Sequence, residues 1–256
     1  FFKLFFGTKF LFDHHDINPE LYEAKFGRRD FFWKMMVWLE RMTFRTADVS
    51  IATNESYKKI AIERGGMAAE KVVVVRSGPK VDRLKIVPPV ASLKHGRKYL
   101  VGYVGVMGKQ EGIDLLLQAA RHIVQDMGRK DVHFGLVGGG TALEEMKRLA
   151  ETLGIADYVT FTGRVPDQEL LEMLNTADVC VNPDVANEMN DKSTMNKIME
   201  YMALGKPIVQ FDLTEGRFSA GAASLYAARN DPIDMARKIV ELLDDPERRA
   251  RMGAFG

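Results

Sequence analysis

The run Ser193-Thr194-Met195-Asn196-Lys197-Ile198-Met199-Glu200-Tyr201-Met202-Ala203-Leu204-Gly205-Lys206-Pro207-Ile208-Val209 holds a helix start, a helix stop and a strand in one short stretch. Ser193 is placed to act as an N-cap, its hydroxyl accepting a hydrogen bond from an otherwise unpaired helix N–H. Gly205 follows the last helical residues as a C′ glycine, and Pro207 forbids continuation. Ile208, Val209 and Phe211 then read as a buried strand. The spacing therefore predicts a short helix over 195–204 that starts at a loop, carries Lys197 and Glu200, and feeds directly into a sheet. A helix start facing a crevice is an anion site, because its free N–H groups and its dipole both favour phosphate.

Outward from this run the same alternation repeats. Strands are expected at 99–105, 132–137, 158–161, 178–182, 207–211 and 224–227, and helices at 112–127, 141–153, 167–176, 195–204 and 232–244. Thr141-x-x-Glu144 has the form of a capping box, and Asp231 precedes Pro232 at a first helical position. Strands alternating with helices of this length imply right-handed crossovers and a parallel, doubly wound sheet. Such sheets bind ligands outside the carboxyl ends of their strands.

Ahead of residue 99 the pattern is shorter. Strands are expected at 9–12, 48–52 and 72–75, and helices at 30–45 with Asp30 as N-cap and at 55–64, stopped by Gly65-Gly66. Residues 77–98, with glycines, prolines and basic residues and little periodicity, read as a linker. Charge divides along the same line. Residues 1–98 hold 19 Lys+Arg against 11 Asp+Glu and the remainder 17 against 24, although the 256-residue chain nets only +1. A basic half joined to an acidic half points to two domains with different partners.

The hydrophobic content of 46% and charged content of 28% are those of a globular protein. The one cysteine, Cys180, lies in the apolar run Val179-Cys180-Val181 and reads as a buried thiol, which suits a reducing cytoplasm. No run reaches the ~18 apolar residues of a membrane span. No spaced Cys/His cluster completes a metal site, and the basic surplus lies in an aromatic segment without a nucleic-acid-binding motif.

Glu200-Tyr201-Met202-Ala203-Leu204-Gly205-Lys206-Pro207-Ile208-Val209 resembles the Glu-x-Met-Ala-x-Gly-x-Pro-Val-Val signature of group 1 (family 4) retaining glycosyltransferases. Other resemblances occur in the family's order: Val137-Gly138-Gly139-Gly140 at a strand end, Thr162-Gly163-Arg164-Val165-Pro166 in the base-reading loop, and Ala177-Asp178-Val179 before the next strand. The likeness runs from about residue 9 to 250. It implies the GT-B fold: two Rossmann-like domains, with 1–92 the rear part of an acceptor domain plus linker and 93–256 the nucleotide-sugar donor domain. The first domain is then incomplete, and the chain reads as a fragment lacking the N-terminal part.

The same resemblance implies site residues. Glu200 would hold the donor ribose, and Arg164 and Val165 would meet the base. Gly105, Gly108, Lys109 and Gly138, with Lys192, Ser193, Thr194, Met195 and Lys197 around the helix start, would meet the diphosphate. His15, by its His-Asp context in Asp13-His14-His15-Asp16, would stand beside the donor sugar. Two departures are plain. Val106 and Glu111 stand where the family carries a basic pair, and Lys192 stands where it carries the first of two glutamates.

The implied activity is a retaining transfer of a hexosyl unit from a nucleotide-diphosphate sugar, UDP-sugar favoured, to a glycan or lipid-linked acceptor in cell-surface polysaccharide synthesis. No tightly bound cofactor and no metal are implied. A nucleotide-sugar 2-epimerase of GT-B fold and a non-catalytic nucleotide-sugar-binding protein are the alternatives. Arg28, Arg29, Phe31, Phe32, Trp33, Lys34, Trp38, Arg41 and Arg45 form a basic, aromatic region whose apolar stripe reads first as core packing. An exposed face of this kind also suits anionic lipid, at the inner face of a membrane.

Overall fold

The computed structural model describes residues 2–256. The chain forms two compact units. One comprises residues up to Gly78 together with Asn187–Thr194, and the other comprises Pro79–Ala186 with Met195–Gly256.

In the first unit, α1 (Phe2–Phe6) leads to β1 (Leu11–His14), α2 (Asn18–Phe26), α3 (Phe31–Thr46), β2 (Val49–Ala52), α4 (Glu55–Glu63) and β3 (Val72–Val74). The three strands are parallel in the order β1-β2-β3, with Phe12 opposite Ser50 and Ala52 opposite Val74. Asp30 caps α3 as expected, its Oδ1 accepting from Phe32 N at 3.0 Å and Trp33 N at 3.3 Å. The core gathers Ile17, Phe44, Ala52, Tyr57, Ala61 and Val72. Beside it the Arg64 guanidinium donates to Glu20 and Glu40, two carboxylates that are almost wholly buried. The apolar stripe of α3 does not form this core. Phe31, Phe32, Trp38 and Leu39 are exposed, and the helix contributes Phe44 from its last turn instead.

The second unit is built as the alternation predicts. β4 (Tyr99–Val104), α5 (Ile113–Arg121), β5 (Val132–Val137), α6 (Leu143–Thr152), β6 (Val159–Gly163), α7 (Asp167–Thr176) and β7 (Val179–Asn182) follow in turn. The chain visits the first unit for α8 (Glu188–Lys192) and returns for α9 (Asn196–Ala203), β8 (Ile208–Phe211), α10 (Thr214–Ala220), β9 (Ser224–Ala227), α11 (Pro232–Asp244) and α12 (Pro246–Phe255). All six strands are parallel, in the order β6-β5-β4-β7-β8-β9. One apolar cluster holds Leu116, Ile123, Phe134, Leu136, Met235 and Ile239, and another holds Leu100, Leu174, Cys180, Ile198, Tyr201 and Ile208. Helices thus cover both faces, as all-parallel sheets require. Burial pushes the Cys180 thiol up to about 12, so it is an inert core group.

Four local expectations need correction. Thr141 does not cap α6. Ala142 occupies the cap position without a side-chain bond, because its N–H is drawn to Met107 O at 3.0 Å and the helix starts late. Ser193 does not cap α9 either. It closes the unexpected α8, its Oγ donating to Met189 O at 2.7 Å, and Met195 precedes α9 without a side-chain cap. α5 ends at Arg121, and residues 122–126 continue it as one π turn. Residues 79–92, expected to close the first domain, fold with the second. Asn175 Nδ2 donates to Lys85 O at 3.1 Å, and Val90 N donates to Thr176 Oγ1 at 2.8 Å.

Candidate functional site

Strand order reverses between β4 and β7, so the crevice beyond their carboxyl ends is the expected ligand site of this sheet. The loop after β4 reaches it first. Gly105 N donates to Val137 O at 3.1 Å and Met107 N to Gly139 O at 3.1 Å, while Gly138 N donates to Gly163 O at 2.9 Å. The ends of β4, β5 and β6 are thereby stitched into one wall of backbone. Only glycine fits at Gly138: its φ is +132°, and a Cβ there would lie 1.8 Å from Gly105 O. Gly112 is under the same constraint, with φ +64° and a Cβ position 1.9 Å from Pro183 O, which presses the β4 and β7 loops together. Lys109 stands exposed on this wall, and Arg164 and Val165 follow the β6 end.

From the other side comes α9. Its second residue, Lys197, is drawn inward, with Nζ 2.8 Å from Glu111 Oε2 and 2.7 Å from Asp184 Oδ1. Glu111 sits in the β4 loop and Asp184 just beyond β7, so three chain segments meet on one ammonium. Tyr103 Oη donates to Glu111 Oε2 at 3.3 Å, and its ring lies under Lys197 Nζ at 5.1 Å. Burial alone would lower the Lys197 ammonium, but Asp184 and Glu111 outweigh it and hold the group above its ordinary range. Burial raises the Asp184 carboxyl to about 6, with Lys197 opposing and Glu111 adding to the rise. Lys197, expected to meet the diphosphate at the helix start, has its ammonium engaged by Glu111 and Asp184. Neither Asp184 nor Tyr103 was singled out from the sequence. An acidic residue two positions beyond a buried strand, after Pro183, was the available signal for Asp184.

One turn along α9, Glu200 is half-buried in a small cavity with Lys80, Arg83, Asp167 and Leu171. Burial raises its carboxyl, and the charges of Arg83 and Lys197 oppose that rise. Arg83 is held by Asp167 through bonds of 3.0 and 2.5 Å. Lys80 and Arg83 border Glu200 because residues 79–92, part of the 77–98 stretch read as a linker, fold with this unit.

Of the other expected site residues, His15, Lys192, Ser193 and Thr194 belong to the first unit, while Gly108 and Met195 belong to the second. His14 and His15 point apart. His14 is buried among Phe12, Phe44 and Tyr57, and burial lowers it to about 4. His15 is exposed, with Nε2 3.0 Å from Asp13 Oδ2. The Lys192 ammonium pairs with Glu188, and its carbonyl accepts from Asn54 Nδ2 at 2.8 Å. Thr194 Oγ1 accepts from the same amide at 3.0 Å, and the Ser193 hydroxyl lies 3.4 Å from Tyr57 Oη. Among the described residues no group of three or more His, Cys, Asp or Glu side chains is arranged to hold a metal ion.

The family model described as Glycosyl transferases group 1 matches residues 98–245. A 2-deoxystreptamine glucosyltransferase of Streptomyces kanamyceticus is 27% identical over 215 residues, covering 79% of this chain and 52% of that protein. A D-inositol 3-phosphate glycosyltransferase of Thermomonospora curvata is 29% identical over 229 residues, covering 81% of this chain and 52% of that protein. The chain therefore spans about half the length of the curated relatives it matches. Among solved structures, Anabaena HepE in complex with UDP and glucose aligns with a TM-score of 0.79 at 18% identity, over 98% of this chain and 66% of that one. The sucrose-phosphate synthase of Thermosynechococcus elongatus aligns at 0.78 and 21% identity, over 98% and 62%. These likenesses show the fold.

The buried ammonium can be tested directly. Lys197→Met leaves two carboxylates facing each other without their cation and is expected to lower unfolding free energy by about 3 kcal/mol, measured by urea denaturation. Adding Glu111→Gln to that variant should restore part of the loss. Additive losses would show that the groups do not interact.

Proposed function

Since the chain belongs to the group 1 glycosyl transferases, we propose that it carries the donor-binding half of a retaining glycosyltransferase. The transfer moves a hexosyl unit from a UDP-sugar to a glycan or lipid-linked acceptor, in cell-surface polysaccharide synthesis in the cytoplasm. The observation that carries this reading is the meeting of the glycine-walled loops with the start of α9, one turn before Glu200, at the switch point of the sheet. Anabaena HepE, a structural neighbour, holds UDP and glucose, which favours a UDP-sugar as the donor.

In this reading the Glu200 carboxylate accepts hydrogen bonds from the ribose hydroxyls, and backbone at Arg164 and Val165 meets the base. The diphosphate lies against Gly105, Gly108 and Gly138, with Lys109 as its accessible cation. The segment Lys192, Ser193, Thr194 and Met195 leads into the α9 start, whose free N–H groups face the leaving group. Donors already oriented at the place where negative charge develops lower the barrier without reorganising. The Lys197 contribution is its backbone N–H and the placement of α9, since its ammonium is engaged by Glu111 and Asp184. His15 acts on the donor sugar, with Asp13 orienting its ring.

The α3 face adds a location. Phe31, Phe32, Trp38 and Leu39 are exposed beside Arg28, Arg29, Lys34, Arg41 and Arg45, a composition that suits an anionic bilayer surface. No helix among the described residues is long and apolar enough to cross a membrane, so this contact would be peripheral.

Three outcomes are expected. UDP should raise the apparent melting temperature by mass action, and Glu200→Ala should abolish that shift; no shift with UDP or GDP would overturn the donor site. His15→Ala should reduce turnover of the active enzyme by about 100-fold, the scale of a positioned acid–base or polar group, with donor binding little changed. Equal losses in both would remove the catalytic assignment. Co-sedimentation should increase with the anionic lipid content of liposomes and decrease for Phe32→Ser/Trp38→Ser; binding indifferent to lipid charge would remove the membrane contact.

A further inference from the structure

At the floor of the crevice two carboxylates share one ammonium. Lys197 Nζ is within 2.8 Å of Glu111 Oε2 and 2.7 Å of Asp184 Oδ1. The Asp184 side chain is 1% exposed, Lys197 11% and Glu111 18%. No donor among the described residues reaches Asp184 Oδ2. The other titratable groups turned toward this cluster are Tyr103 from β4 and Tyr201 from α9, both buried phenols that burial raises above their ordinary range, and Glu200 one turn along α9, whose carboxyl is raised by burial against the charges of Arg83 and Lys197. With both carboxyl groups ionised the cluster holds one more negative charge than positive. That excess lies in the crevice assigned above to a diphosphate, and this inference rests on that assignment. An incoming anion and an uncompensated buried carboxylate repel each other strongly in a poorly screened site. Carboxylates that share a site relieve such repulsion by holding a proton between them.

We propose that the Glu111–Asp184 pair takes up one proton when the site binds a nucleotide-diphosphate sugar, so that donor affinity is coupled to proton uptake. The proton comes from solvent and sits on Asp184, whose protonated carboxyl donates a hydrogen bond to Glu111. Lys197 stays an ammonium throughout and remains bonded to both partners. The cluster is then neutral, and the diphosphate meets the α9 start and Lys109 without an opposing charge.

The direction of the pH dependence follows from the Asp184 carboxyl, which burial raises to about 6. Below that pH Asp184 already carries its proton, and donor binding draws none from solvent. Above it Asp184 is ionised and binding must recruit a proton, so affinity falls as pH rises, approaching tenfold per unit for one proton. The linked diphosphate of UDP-glucose does not itself titrate between pH 6 and 8, so the effect belongs to the protein.

The test is isothermal titration of the protein with UDP-glucose, and with GDP-mannose in parallel, at pH 6, 7 and 8 in buffers of different ionisation enthalpy. The expected result is uptake of more than about half a proton per donor at pH 7 and a Kd at least about tenfold weaker at pH 8 than at pH 6, the linkage expected for one proton. Glu111→Gln, which removes the excess charge while keeping the shape, should abolish the uptake and bring the Kd at pH 8 to within about twofold of that at pH 6. Asp184→Asn should do the same, giving a second variant should the first fail to fold. Binding without proton uptake, or an unchanged pH dependence in a folded Glu111→Gln protein, would overturn the coupling and leave the donor site standing. No binding of either donor at any pH would overturn the donor-site reading, and the coupling with it.

Discussion

A parallel sheet cannot close its own edges with hairpins, and every strand must be reached by a crossover on one face or the other. In the second unit the crossovers change face between β4 and β7, which are hydrogen-bonded neighbours, so the loops leaving them part in opposite directions. That divergence opens the crevice, and the remaining features serve to line it with backbone. The contact of Gly112 with Pro183 O keeps the two loops close, and the contact of Gly138 with Gly105 O joins the next strand end to the wall. Side chains at either position would separate the loops that give the crevice its shape.

The same place is held together electrostatically. Glu111 is unexpected in a loop where the family carries a basic residue, but its partner comes from 86 residues further along the chain. Lys197 draws the start of α9 toward the ends of β4 and β7, with the Tyr103 ring beneath its ammonium. A buried ion pair of this kind specifies one arrangement, because any shift of α9 would strand at least one charge away from its partner. Glu200 lies one helical turn further on, so the geometry of the floor also sets the position of the residue assigned to the ribose.

The first unit places its chemistry by alternation. Neighbouring residues at the end of a strand face opposite sides, so of two adjacent histidines one fills an aromatic core and the other meets solvent beside Asp13. Its longest helix buries Phe44 and leaves the larger part of its aromatic stripe exposed. Helical spacing identifies a stripe, but the same spacing serves a core, a partner or a lipid surface.

Much of this was legible in the sequence because the signals were local. The six strands from residue 99 onward, the Asp30 and Asp231 caps and the buried Cys180 all follow from periodicity, capping chemistry and the stop at Gly205 and Pro207. Where local signals competed, the reading failed. Ser193 fits the start of α9 by spacing, yet α8 precedes it and takes its hydroxyl, while Thr141 lost its capping role when the next residue was tied to Met107. The presence of Lys197, Glu200 and the glycine loops, and their placement at helix starts and strand ends, was determined by the sequence alone. Whether the Lys197 ammonium faces an anion or a carboxylate was decided only by tertiary structure. Its partners come from segments distant in the chain, and no local period encodes which charges the crossovers of a sheet will bring within 3 Å.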